Sequence, residues 1–237
     1  MNLVSWLRRL RQRALRVTLT TIVGLAVASG PLPVAAATPS VAATTGSPAL
    51  VVLGDSLSAG YGIRVEEGWV ALLARRLEQE GYGYRVVNAS VSGETTVGGL
   101  ARSTHVFATH HPALVILELG ANDGLRGLPA ADMRHNLVAI IGAARNAGAR
   151  VLLVGTRIPS NYGAAYTDDY YASFAAVARE TKVALVPFLL EGIALDERNF
   201  QADRLHPTAA VQPRLLETVW AGLKPLLGPA PHAPGAH

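Results

Sequence analysis

The sequence predicts one α/β domain with three layers, in which a five-stranded parallel sheet lies between two layers of helices. Short apolar segments recur along the chain, and segments with helical apolar periodicity lie between them, as in successive strand-helix-strand units. Half of the 237 residues are apolar and 16% are charged, so the chain can bury one full-sized core and is not of the disordered class.

Five of the apolar segments are expected to form the strands. They are Ala49–Leu53, Arg85–Ala89, Leu114–Leu119, Arg150–Gly155 and Ala184–Phe188. Four of the five are nearly continuous rather than alternating in polarity, which is typical of strands covered on both faces. This pattern favours a parallel sheet with helices on each side.

Helices are expected where apolar residues repeat on one face. The predicted helices are Gly68–Glu80, Ala131–Ala147, Tyr170–Thr181 and Val211–Leu227. Gly81 and Gly148 directly follow two of these segments, as glycines often do at helix ends. Right-handed crossovers then place any functional site beyond the carboxyl ends of the strands.

The first 37 residues have the three parts of a secretory signal. Five arginines lie within the first sixteen residues, the apolar run Val17–Ala28 follows, and Ala35–Ala37 supply a small-residue cleavage site. The apolar run is short for a membrane span, which needs roughly 20 residues. Cleavage after Ala37 is therefore expected, with an uncleaved N-terminal anchor as the alternative, and both place the domain outside the cytoplasm in the periplasm or medium.

The distribution of charge argues against binding to nucleic acid. The formal charge of +4 comes from 21 basic and 17 acidic residues, and removing the five N-terminal arginines leaves 16 against 17, a charge of −1. The chain has no cysteine, which excludes disulfides, thiolate metal sites and a cysteine nucleophile. We expect no stable membrane insertion after signal cleavage, and a monomer.

The expected domain occupies residues 49–227. Residues 38–48 are rich in Thr, Ala, Ser and Pro without apolar periodicity, and are predicted to be a flexible linker. Residues 228–237 have the same character and are predicted to be a disordered tail.

Polar residues follow the predicted strands at the edge where a site is expected. Gly54-Asp55-Ser56 follows the first strand, and a serine on such a turn presents its hydroxyl beside free backbone N–H groups. The alternative is a purely structural role, in which Ser56 is a helix N-cap. Nucleotide binding is disfavoured because neither G-K-[ST] nor G-x-G-x-x-G occurs here, and the G-x-S-x-G of α/β-hydrolases is absent too.

Three further segments reach the same edge. Ser92-Gly93-Glu94 follows the second strand, Gly120-Ala121-Asn122-Asp123 follows the third, and Asp203-Arg204-Leu205-His206 precedes the last helix. An Asp three residues before a His can accept its Nδ1–H and leave Nε2 free as a base. Each segment alone is an ordinary turn or surface pair. Their convergence at one edge favours a nucleophilic hydrolase.

These segments resemble the four blocks of the SGNH (GDSL) hydrolases, whose fold is flavodoxin-like. The chain has GDSLS with Ser56, a glycine block with Gly93, GANDG with Asn122, and DRLHP with Asp203 and His206. Further similarity is to the branch of bacterial acyl-CoA thioesterase, lysophospholipase and arylesterase, and it covers nearly all of residues 50–227. Arg204 departs from the small residue that many relatives have.

The resemblance implies a serine hydrolase of acyl esters and thioesters that needs no metal or organic cofactor. Ser56, His206 and Asp203 would be the catalytic triad, and Ser56 N–H, Gly93 N–H and the Asn122 side chain would be the oxyanion donors. Its substrate would be a small-molecule or lipid acyl ester. Two alternatives remain, a carbohydrate acetylesterase of the same family and a non-catalytic binding module.

Several polar and apolar residues outside the proposed triad also have expected roles. Ile158, Pro159 and Tyr162 lie in the segment after the fourth strand and are expected to line an acyl groove, unless the segment is only a static connection. Asp55 and Asp123 are expected to bond local backbone in turns. The three histidines at 105, 110 and 111 are interpreted as a polar helix end rather than a metal site.

Overall fold

The computed structural model describes residues 46–228, so the predicted signal, most of the linker and nearly all of the tail lie outside the described residues. Five strands form one parallel sheet in the order β2-β1-β3-β4-β5. The strands are β1 (Ala49–Gly54), β2 (Arg85–Asn88), β3 (Pro112–Glu118), β4 (Arg150–Val154) and β5 (Ala184–Val186). The predicted five-stranded parallel sheet is confirmed, with the flavodoxin-like strand order.

Within residues 46–228, seven α-helices connect or follow the strands. They are α1 (Ser56–Ala59), α2 (Trp69–Gln79), α3 (Thr96–His110), α4 (Ala121–Leu125), α5 (Ala130–Asn146), α6 (Ala164–Thr181) and α7 (Gln212–Leu223). Four were predicted, although α6 begins six residues before the predicted Tyr170 and α7 ends earlier, with a short 3₁₀ turn over Lys224–Leu226. The prediction gave no bounds for α1, α3 or α4, although it placed a helix end at the histidines 105, 110 and 111.

The sheet carries a hydrophobic core on each face. Alternate residues of β1 point to opposite sides, so Leu50 and Val52 pack with α2 and α7, whereas Val51 and Leu53 pack with α3, α5 and α6. All four side chains are fully buried. The central strands β1, β3 and β4 are therefore covered on both faces, which explains their nearly continuous apolar sequences.

The two edge strands are less buried than the central ones. β2 is partly exposed along its length, and only Val186 of β5 is fully buried. The carboxyl ends of the strands meet at one edge of the sheet, and α1 and α4 begin there directly after β1 and β3. The fold therefore brings together loops that are distant in sequence.

None of the helices within residues 46–228 is long and apolar enough to cross a membrane.

Candidate active site

Ser56 is the first residue of α1, at the point where the chain leaves β1. Asp55 caps this helix because its Oδ1 accepts a hydrogen bond from Leu57 N–H at 3.0 Å. Gly60 ends the helix in the left-handed region, with φ 77°. The turn is thus closed at both ends within a few residues, which fixes the position of the Ser56 hydroxyl.

Gly54 allows this turn to lie close to the end of β3. A Cβ at position 54 would lie 2.8 Å from Ser58 Cβ and 2.9 Å from Glu118 Oε2, closer than real Cβ contacts. Ser58 donates a hydrogen bond to Glu118 Oε2 at 2.6 Å. The glycine of the GDS sequence is therefore needed for the approach of α1 to β3.

His206 links Ser56 to Asp203. Its Nε2 lies 2.9 Å from Ser56 Oγ, and its Nδ1 lies 2.6 Å from Asp203 Oδ2. His206 is therefore within hydrogen-bonding distance of both other residues of the predicted set, although Ser56 and His206 are 150 positions apart.

The Asp203 carboxylate is held by the loop that also carries His206. Its Oδ1 accepts hydrogen bonds from the backbone N–H groups of Leu205 at 2.9 Å and His206 at 3.0 Å. The bonds from the His206 backbone N–H and imidazole are the two largest causes that lower the pKa of Asp203 from 3.8 to about 2. Asp203 is thus an anion whenever the protein is near neutral pH.

Gly93 lies in the turn after β2, with φ 79° in the left-handed region. Its carbonyl accepts a hydrogen bond from Arg126 Nη2 at 2.9 Å. Next to it, the half-buried Glu94 accepts a hydrogen bond from Arg102 Nε at 2.7 Å, and Arg102 Nη2 makes a second contact with its carboxylate. Two arginines therefore fix the Gly93–Glu94 turn, one through the backbone and one through a side chain.

Asn122 lies in the first turn of α4 and reaches across to both neighbouring loops. Its Nδ2 donates to Asp55 Oδ2 at 3.1 Å and to the Glu94 carbonyl at 3.0 Å. These two bonds use both hydrogens of the side-chain amide. Within residues 46–228, no hydrogen bond of the Ser56 or Gly93 backbone N–H is seen.

Two buried carboxyl groups lie beneath Ser56. Asp55 and Glu118 are 0% and 2% exposed, and desolvation raises the pKa of both, that of Asp55 to about 6. An ionised Asp55 further raises the pKa of Glu118. We assign the proton to Glu118 at neutral pH, because burial and repulsion from Asp55 raise its pKa well above 4.5 despite its bond from Ser58, whereas the bonds from Leu57 and Asn122 favour the anionic form of Asp55.

A cleft of about 1070 Å³ opens beside Ser56, Asn122 and His206. Ile158 and Pro159 are among its lining residues. Tyr162 is not among its lining residues within the described chain; its hydroxyl donates instead to the Leu125 carbonyl at 2.8 Å. Leu125 does line the cleft, so Tyr162 is bonded to the backbone of this wall.

The structure changes the interpretation of Asp123. It was expected to bond local backbone, but its two carboxylate oxygens accept from the N–H and hydroxyl of Thr96, at 2.8 and 2.5 Å. Asp123 therefore joins α4 to the start of α3. By contrast, Asp55 does make the expected local bond, to Leu57, in addition to its bond with Asn122.

Arg204 and the histidines at 105, 110 and 111 are in different parts of the fold. Arg204 has φ 59°, lines the cleft and places Nη1 3.8 Å from Glu197 Oε1. His110 is the last residue of α3 and His111 its left-handed C-cap, in accord with a polar helix end. No cluster of three or more metal-ligating side chains is found in residues 46–228.

Sequence reasoning missed several residues around the cleft. The segment between β5 and α7 supplies a second wall, with apolar and acidic side chains that include Leu190, Glu191, Leu195 and Phe200. It also missed Tyr61, whose ring contacts His206. Glu118 was missed too, although a glutamate at the end of an apolar strand is unusual and could have drawn attention to it. No local sequence pattern marked the second wall.

The model of the GDSL-like lipase/acylhydrolase family matches residues 52–212. This range contains Ser56, Gly93, Asn122, Asp203 and His206.

Several curated proteins are similar over 178 residues, which is 75% of this chain. Esterase TesA of Pseudomonas aeruginosa is 53% identical, and the match covers 89% of that protein. An arylesterase of Vibrio mimicus is 42% identical with 89% coverage, and thioesterase 1/protease 1/lysophospholipase L1 of Escherichia coli is 38% identical with 84% coverage.

A solved structure has the same fold. The crystal structure of TesA superposes with a TM-score of 0.74 at 53% identity, covering 75% of this chain and 99% of that one.

Proposed function

Because the chain belongs to the GDSL-like lipase/acylhydrolase family and is a carboxylic ester hydrolase, we propose that Ser56, His206 and Asp203 are its catalytic triad. The observation that carries this proposal is the pair of short contacts of His206, 2.9 Å to Ser56 Oγ and 2.6 Å to Asp203 Oδ2. A base within hydrogen-bond reach of the hydroxyl, itself oriented by a carboxylate, is the arrangement needed to activate a serine.

In the proposed reaction, Ser56 Oγ attacks the acyl carbonyl carbon while His206 Nε2 takes the hydroxyl proton. Asp203 accepts the Nδ1–H and stabilises the imidazolium that forms. The tetrahedral intermediate collapses when His206 returns the proton to the leaving alcohol or thiol, which leaves the acyl group esterified to Ser56. Water, activated by His206 in the same way, then releases the carboxylic acid and restores the Ser56 hydroxyl.

We assign the oxyanion hole to Ser56 N–H, Gly93 N–H and the Asn122 side-chain amide. The two backbone donors have no competing partner in the described part of the chain. The Asn122 amide, however, already donates to Asp55 and to the Glu94 carbonyl. To bind an oxyanion, it must exchange one of these bonds, and the neutral Glu94 carbonyl is the weaker acceptor of the two.

The substrate is proposed to be an ester or thioester with an apolar acyl chain. Ile158 and Pro159 give the cleft an apolar wall next to Ser56, supported by Leu125. The relatives are named as an esterase, an arylesterase and a thioesterase/lysophospholipase, which favours aryl esters, thioesters and lipid esters over acetylated sugars.

Hydrolysis of p-nitrophenyl esters from acetate to palmitate tests this function, using protein that starts at Thr38. We expect an optimum at an acyl chain longer than acetyl, and loss of activity in Ser56→Ala. Ser92→Ala removes an exposed hydroxyl at the same edge of the sheet and serves as the matched control, with activity near that of the wild type.

Three outcomes would count against the proposal. Full activity of a folded Ser56→Ala variant would remove Ser56 as the nucleophile. An optimum at acetate would favour the carbohydrate acetylesterase. Absence of hydrolysis in the folded wild type, together with no labelling of Ser56 by a p-nitrophenyl phosphonate, would favour a binding module.

A further inference from the structure

The imidazole of His206 contacts an aromatic ring in addition to its two hydrogen-bond partners. The ring of Tyr61 lies with its centroid 4.4 Å from that of His206, and the two planes are inclined at 37°. Tyr61 is 52% exposed and is not among the described residues that line the substrate cleft. Its ring therefore touches the imidazole without forming part of the cleft wall.

The backbone places Tyr61 directly after the helix that begins at Ser56. Tyr61 N–H donates to the Ser56 carbonyl at 3.1 Å, and the flanking Gly60 and Gly62 both have positive φ, 77° and 75°. Such angles are easily adopted by glycine alone. The chain therefore turns sharply on both sides of Tyr61. The Tyr61 ring lies against His206 in the neighbouring loop.

Gln201 ties the Tyr61 turn to the His206 loop. Its side-chain amide donates to the Tyr61 carbonyl at 2.8 Å and to the Pro207 carbonyl at 3.1 Å. Its backbone N–H donates to the His206 carbonyl at 2.8 Å. A Cβ on residue 62 would lie 2.1 Å from Gln201 Oε1, so the glycine there also makes room for this bridge.

We propose that Tyr61 is a positioning residue for His206, with Gln201 holding the two loops in register. The hydrogen bond to Asp203 fixes one edge of the imidazole but permits the ring to tilt about that bond. The Tyr61 ring supports the imidazole, so that Nε2 stays in line with Ser56 Oγ. It also favours the imidazolium formed during the reaction, since an aromatic ring attracts a nearby cation.

This inference rests on the proposed function, because His206 must be the base for its position to affect turnover. It predicts an effect on the chemical step rather than on binding, since Tyr61 does not line the cleft. It also predicts that the ring matters and the hydroxyl does not, because no hydrogen bond of the Tyr61 hydroxyl is seen within residues 46–228.

The test compares Tyr61→Leu with Tyr61→Phe on a p-nitrophenyl ester of the preferred length. We expect Tyr61→Leu to lower kcat about three- to tenfold, with KM within about twofold of the wild type. Tyr61→Phe should keep kcat within about twofold. Gln201→Leu should also lower kcat, because it releases the Tyr61 turn from the His206 loop.

The His206 Cε1–H resonance gives a second readout that does not depend on activity. The Tyr61 ring current displaces this resonance, so it should move in Tyr61→Leu and change little in Tyr61→Phe. The inference is overturned if Tyr61→Leu turns over normally, or if Tyr61→Phe is as impaired as Tyr61→Leu. Normal turnover of Ser56→Ala would instead overturn the proposed function, and the resonance would still report whether the two rings touch.

Discussion

At the scale of single residues, the Asn122 side chain must bond to two neighbouring loops at once. It bonds to the loop after β1 through Asp55 and to the loop after β2 through Glu94, and it lies itself in α4, which follows β3. One side chain thus connects three of the segments that build the site. The bond to the Asp55 carboxylate orients the amide, and in our proposal the bond to the Glu94 carbonyl is the one exchanged for the oxyanion.

Asn122→Ala should reduce kcat by about 10² to 10³, which is the usual cost of losing one oxyanion donor. The fold should remain, because the rest of α4 is held through Asp123 and Thr96. Steady-state kinetics and thermal unfolding together check this. Asn146→Ala, at the exposed end of α5, is the matched control. Near-normal turnover of a folded Asn122→Ala variant would exclude Asn122 from the oxyanion hole.

At the scale of elements, the end of β3 carries an acid under the start of α1. Glu118 is fully enclosed, and its Oε2 accepts the Ser58 hydroxyl. Burial, and then repulsion from Asp55, raise its pKa well above 4.5 in the folded protein. In the unfolded chain it ionises near 4.5, so the folded state holds a proton that the unfolded state loses, and stability falls as the pH rises above that value.

The free energy of unfolding should therefore decrease between pH 5 and pH 8, and Glu118→Gln should reduce this decrease. Glutamine keeps an acceptor for Ser58 and has no proton to hold. Asp55 adds to the wild-type slope between about pH 4 and its pKa of about 6. Urea unfolding across this range measures the effect, with the exposed Glu78→Gln as control. An unchanged slope in Glu118→Gln would show that other groups set the pH dependence.

The structure also explains, at this scale, why no bounds were predicted for α3. α3 contains Gly98 and Gly99 in its first turns, and both lower its intrinsic helix propensity. Gly99 is buried against Leu119, where a Cβ would lie 2.3 Å from Leu119 Cδ1. The helix therefore depends on packing against the sheet and α5, and this packing has no signature in the local sequence.

At the scale of the whole molecule, the charge divides the chain into two parts. The five arginines before the apolar run account for the positive charge, and the remainder is nearly neutral at −1. We propose that residues 1–37 direct export. The basic segment, the apolar run and Ala35–Ala37 support this proposal, and all three lie outside the described residues.

Protein recovered from the periplasm of a Gram-negative host should begin at Thr38. Intact mass measurement checks this. A bulky residue at the cleavage site, Ala37→Trp, should leave the signal attached, whereas Ala43→Trp, beyond the site, should not. Recovery of the uncleaved wild-type chain in the membrane fraction would support the N-terminal anchor instead.

The sequence by itself determined the sheet and the blocks that surround the site. The apolar strands are contiguous, so their pattern can be read locally, and parallel strands necessarily bring their carboxyl ends to one edge. Ser56, Gly93, Asn122 and the Asp203–His206 pair were therefore predicted to lie together, and the structure places them at that edge.

Only the tertiary structure decided how these residues are supported. The bond from Gln201 to Tyr61 spans 140 positions, and that from Asn122 to Asp55 spans 67. Contacts between distant elements also produce three other features. They are the bond of Asp123 to Thr96, the cleft wall between β5 and α7, and the burial of Glu118. Such contacts depend on how separate elements pack, and periodicity and turn preferences describe only residues that are neighbours along the chain.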